Sequence, residues 1–155
     1  MLTAVTDGVF SSVLSVAFYH STVARLFQGV ASTLLGPSAL AGGTRTAVIG
    51  ALMHIGVAFG WSAVFLFLLA PRSWVRALLD SRQGVWKVAA LFGPSVWLVM
   101  SLVVIPLLVH RPPVIGVRWW IQFFGHAIFV GLPIVATVRS ARVDSSTDAA
   151  PRQER

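Results

Sequence analysis

Cysteine is absent from the 155 residues. That removes disulfides, thiolate metal sites, iron–sulfur clusters and cysteine nucleophiles together, and leaves the redox compartment open. Charge is scarce as well: 11% of residues are charged and 56% hydrophobic, against about 25% charged in an average soluble protein. Such a chain cannot assemble a water-facing globular surface, so a soluble domain is excluded. Acidic residues are few, five against twelve Lys and Arg, for a net charge of +7. The basic residues stand between apolar runs instead of forming one patch or stripe, so they read as topology signals and no nucleic-acid partner is expected. The amino terminus, MLTAVTDGVF, lacks the basic n-region of a secretory signal and is expected to belong to the mature chain. No lipidation or retention motif is present. Catalytic signatures are missing too: no GxSxG elbow, Walker A loop, HExxH motif or paired membrane carboxylates. A non-enzymatic protein is therefore expected.

What the chain does have is long apolar runs. A helix needs about 20 apolar residues to cross a ~30 Å hydrocarbon core. Four segments qualify: 2–19, 46–70, 88–109 and 119–138. The first is the most dilute, because Asp7, Thr3, Thr6 and three serines interrupt it. Between it and the second lies STVARLFQGVASTLLGPSALAGG, too apolar for an ordinary loop and punctuated by Gly36, Pro37, Gly42 and Gly43. A helix over 22–35, ended by Gly36 and Pro37, is predicted there. It is interfacial, re-entrant or a fifth span, since non-helical backbone at membrane depth needs protein or water to cover it. The fold class is thus an all-α membrane protein, a four-transmembrane-helix bundle over 1–138, with a disordered cytoplasmic tail over 139–155.

Counting basic residues by side gives eight on the side of the second connection and the carboxyl tail: Arg72, Arg76, Arg82, Lys87, Arg139, Arg142, Arg152 and Arg155. Arg25, Arg45, Arg111 and Arg118 make four on the other. The richer side marks the cytoplasm, so both termini are expected inside a bacterial inner membrane. Trp74 and Trp86 then flank the inner connection, and Trp119 and Trp120 mark the outer start of the fourth span.

A few polar groups are stranded in these runs. His54 lies nine residues below Arg45 and His126 eight below Arg118, so both are about 12–13 Å deep. Gln122 shares a helical face with His126. Two imidazoles at one level allow bis-histidine ligation of haem b, with glycines making room for the ring. They equally allow a neutral hydrogen-bonded pair joining helices, or a proton or substrate pathway. Asp7, the one acid in a predicted span, is read as a helix-start charge, an interhelical hydrogen bond or a transport group. Its position near the start of the first helix predicts a place towards the face opposite the histidines. No further metal site is expected, since zinc needs three or four ligands. Gly56 and Gly60 form a GxxxG pair suited to packing within the bundle or to a homo-oligomer. Pro94, Pro106 and Pro133 should bend the third and fourth spans. Trp61 and Trp97, equally distant from the inner boundary, are expected to fill the core and could stack within the bundle.

Three stretches together carry a resemblance: QGVASTLLGPSALAGG, ALMHIGVAFGWSAVF and HAIFVGLP. Their order and spacing resemble the YagU-like family of small uncharacterised bacterial inner-membrane proteins, from Gln28 to about Arg139. The resemblance implies a four-span inner-membrane protein. His54 and His126 match the family's histidines, and Gly36, Gly42, Gly43, Gly131 and Pro133 its turn and packing positions. It implies no reaction. One departure is Ser101, where an asparagine is expected after the methionine. Function is expected among three classes: a non-enzymatic accessory in envelope or stress physiology or a small transport component; a b-haem electron-transfer subunit; and a proton-linked transporter or channel. The lipid bilayer is the partner that composition implies, and the small-residue faces allow a homo-oligomer or a membrane partner.

Overall fold

A computed structural model describes residues 1–148, with side chains described through residue 142. No strand occurs among the described residues. The apolar runs are helices: α1 (Leu2–Phe18), α2 (Val23–Leu35), α3 (Gly43–Leu69), a short α4 (Ser73–Leu79), α5 (Gly84–Val109) and α6 (117–148). Three stretches, Gly43–Leu69, Gly84–Val109 and Val117–Arg142, are long and apolar enough to cross a membrane. A fourth crossing exists if α1 and α2, which meet at a bend of 117°, form one broken span. Alone, α1 rises about 25 Å at 1.5 Å per residue, short of a ~30 Å core.

The joints are those the punctuating residues dictate. Thr22 caps α2, its hydroxyl accepting the Arg25 N–H at 3.1 Å. Gly36 ends the helix at φ +79°, which a side chain would resist, and Pro37 opens a 3-10 turn, Pro37–Ala41. That turn is tied to the start of α3 by Thr46 donating to Ala39 O at 2.7 Å, and Gln28 of α2 donates to Gly43 O at 3.0 Å. Pro106 and Pro133 are each preceded by a π-helical turn, Met100–Val104 and Ala127–Gly131. There the residue before the proline donates five residues back, Ile105 to Met100 and Leu132 to Ala127, which accommodates the missing proline N–H. Pro94 lies within continuous helix.

The core gathers at the α4 end of the bundle. Phe65, Val75, Leu79, Phe92, Val130 and Val135 are its buried centre. Backbones approach closely between α5 and α6: a Cβ at Gly93 would strike the His126 carbonyl, and one at Gly131 the Ala89 carbonyl. Gly50 does the same between α3 and the Phe27 carbonyl of α2. Gly56 and Gly60, where the GxxxG spacing predicts packing, face outward with nothing within reach of an added Cβ. They lie on the part of α3 that no neighbouring helix covers; only Gly50 and Phe65 are buried along Gly43–Leu69.

Two other expectations are corrected. The segment after residue 138 is helical to Asp148, because no Gly or Pro interrupts it before Pro151; the expected disorder over 149–155 lies outside the described residues. Trp61 and Trp97 do not stack. Trp61 meets Phe92 edge-on at 6.4 Å, while Trp97 packs on Trp119 and on His126, with ring centres 6.2 and 4.8 Å away.

Candidate functional site

Next to the core, where Val96 and Val130 border both, α1, α2 and α3 enclose with α5 and α6 a cavity of about 540 Å³. Most of its wall is apolar, from Met53, Val57, Met100 and Ile105 among others. Its polar groups form two opposed rows. On α1, Thr3, Asp7, Ser11 and Ser15 recur every four residues and so share one face. On α6, Arg118, Gln122 and His126 recur at the same interval. His54 enters from α3 and Trp97 from α5. All four polar residues singled out in the sequence, Asp7, His54, Gln122 and His126, therefore line one space.

The two rows are stapled together. Thr6 donates to the Phe129 carbonyl at 2.7 Å, and Phe10 stacks on Phe129 with ring centres 4.3 Å apart. Gly125 leaves the space that the Phe10 ring fills. Gln122 Nε2 reaches Ser11 Oγ at 3.4 Å. Trp119, at the start of α6, is buried and donates its indole N–H to Ser101 Oγ at 3.0 Å. Ser101 thus has a polar partner.

Asp7 corrects the predicted depth. Its Oδ2 lies 3.8 Å from His54 Nε2, so the acid sits at the level of the histidines and not towards the opposite face. Counting from Leu2 assumed that α1 starts at a membrane boundary, whereas the Thr6–Phe129 bond sets its register against α6. His54 Nε2 also lies 3.2 Å from the Ala4 carbonyl. A carbonyl only accepts, so that nitrogen carries the proton. His126 Nδ1 lies 2.7 Å from the Gln122 carbonyl and carries a proton by the same logic, leaving its Nε2 free. An axial haem ligand coordinates through a free ring nitrogen; His54 Nε2 would have to leave α1 to become one. No group of three or more His, Cys, Asp or Glu able to hold a metal ion occurs among the described residues.

Arg25 and Arg118 stand at the Tyr19 end of the cavity with their guanidinium groups engaged. Arg25 donates to the Leu40 carbonyl at 2.7 Å, and Arg118 lies 4.7 Å over the Tyr19 ring. The sequence reading missed the row Thr3, Ser11 and Ser15, whose four-residue recurrence with Asp7 was available as a signal but read as dilution of the span. Trp97 was read as a stacking or core-filling residue, and its place in the cavity wall was missed. No protein-family model, no curated protein and no solved structure matches this chain.

Proposed function

We propose that this protein is a small, non-enzymatic transport component of a bacterial inner membrane, in which the Asp7–His54 pair exchanges a proton as a solute occupies the cavity. The observation that carries the reading is the meeting of an acid and an imidazole, 3.8 Å apart, on the wall of a cavity of about 540 Å³ among apolar helices. Ionisable groups are costly at membrane depth, and where they persist they mark substrate or proton pathways. A carboxylate and an imidazole can each carry a proton, so the pair can hold one proton in either of two places. The four-residue rows on α1 and α6 supply hydroxyl and amide partners along the same wall. The excess of basic residues on the side of the α4 connection assigns that side to the cytoplasm, in keeping with the resemblance to small inner-membrane proteins.

The test is proton movement in vesicles. Purified protein in liposomes with a trapped pH dye, bathed in a small-molecule extract of bacterial cytosol, should change the internal pH faster than protein-free vesicles. Asp7→Asn should slow that change at least about tenfold. Equal rates for the native protein, the variant and empty vesicles would overturn the proposal.

A further inference from the structure

Three buried polar atoms of the cavity residues have no hydrogen-bond partner: Asp7 Oδ1, Gln122 Oε1 and Trp97 Nε1. They come from α1, α6 and α5. Buried polar groups are paired in all but a few cases, and each exception asks for an explanation. Here two acceptors and one donor, each closed to solvent, belong to three side chains that line the same cavity. Gln122 is 6% exposed, and its amide nitrogen is turned to Ser11, which leaves the oxygen free. Asp7 uses its other oxygen towards His54. Trp97 keeps its ring against His126, so its N–H is fixed rather than free to turn to solvent.

From this complement we infer that the cavity binds a protonated amine that also carries an oxygen acceptor, on an apolar body. The ammonium donates to Asp7 Oδ1 and Gln122 Oε1. The oxygen accepts from Trp97 Nε1. The hydrocarbon lies against Met53, Val57 and Met100, of which the two methionines adapt readily to shape. The electrostatics agree. Asp7 is the acid among the cavity residues, and the two arginines at the Tyr19 end are already engaged, one on a carbonyl and one on a ring. A carboxylate at the level of Asp7 would meet a like charge and leave both acceptors unpaired.

The inference deepens the transport reading and rests on the same cavity, but its test needs no vesicle. Detergent-purified protein is titrated by calorimetry with three probes of similar hydrocarbon length: norleucinol, hexylamine and hexanoate. The expected order is norleucinol tightest, hexylamine weaker and hexanoate weakest. Asp7→Asn should weaken both amines about 10- to 100-fold, the range for a charge-assisted hydrogen bond. Trp97→Phe, which keeps an aromatic ring and loses the N–H, should bring norleucinol down to the affinity of hexylamine. Gln122→Glu should tighten both amines, a gain that misfolding cannot imitate. Hexanoate binding as well as the amines, amine affinities that ignore Asp7→Asn and Gln122→Glu alike, or no binding of any probe to folded protein would overturn the inference and leave a cavity that holds water. Amine binding without proton flux refutes transport alone; Asp7-dependent flux of solutes that are not amines refutes the amine alone.

Discussion

His54 and His126 look equivalent by type and depth, yet their hydrogen bonds connect different things. His54 donates from α3 to the Ala4 carbonyl of α1, so it holds two helices together. His126 donates to Gln122 of its own helix, a bond that crosses no interface. Interhelical hydrogen bonds in membranes are worth about 1–2 kcal/mol in model peptides. His54→Phe keeps a ring of similar size and removes the bond, so it should cost about that much. His126→Phe retains ring packing on Trp97 and should cost less than half as much. Unfolding of both variants in mixed detergent micelles compares the two values; a larger loss for His126→Phe would show that the local bond matters more than the interhelical one. The sequence displayed both histidines, and the arginines flanking their runs gave the two an expected common depth. It could not display what each ring bonds to, since the Ala4 carbonyl carries no side-chain signal at all.

Among the elements, the glycines separate what is legible from what is not. Gly56 and Gly60 carry the recognisable spacing and pack on nothing within the chain. Gly93 carries no motif, and a Cβ there would strike the His126 carbonyl, a backbone group that cannot swing aside. A close approach depends on which backbone lies opposite, and a single helix does not encode its partner. Gly93→Ala should therefore destabilise the bundle by about 1–3 kcal/mol, the usual cost of overpacking. Gly56→Ala should be neutral or slightly stabilising, because glycine is the poorer helix former. Thermal unfolding in detergent orders the two variants, and a Gly56→Ala loss matching that of Gly93→Ala would point to a second copy packed on α3. Helix positions were legible where composition decides them: Gly43–Leu69 against 46–70, and Val23–Leu35 against 22–35. The helix past residue 138 was not, because polar composition argues against a packed core but does not forbid a helix.

For the whole molecule the open quantity is the path of α1 and α2. If the three long helices cross, Ser38 and Val114 lie on one side of the membrane and Ser81 on the other, since α3 separates the first from the third and α5 the second from the third. Tyr19 under Arg118 adds the end of α1 to the Val114 side. If α1 crosses as well, Leu2 joins Ser81, and the proposed orientation predicts that both termini lie in the cytoplasm. The absence of cysteine makes this directly measurable, because every introduced thiol is the only one. In intact cells a membrane-impermeant maleimide should label Ser38→Cys and Val114→Cys, and should reach Ser81→Cys and Leu2→Cys only after the membrane is opened. Leu2→Cys labelling together with Val114→Cys would mean that α1 enters and leaves by one face. The cavity would then be a recess open to that side, with Asp7 and His54 at its floor, and no route would pass between them to the other. The rows on α1 and α6 argue for the crossing: Thr3, below Asp7, still lines the cavity, so its polar wall continues past the level of the histidines towards the far side.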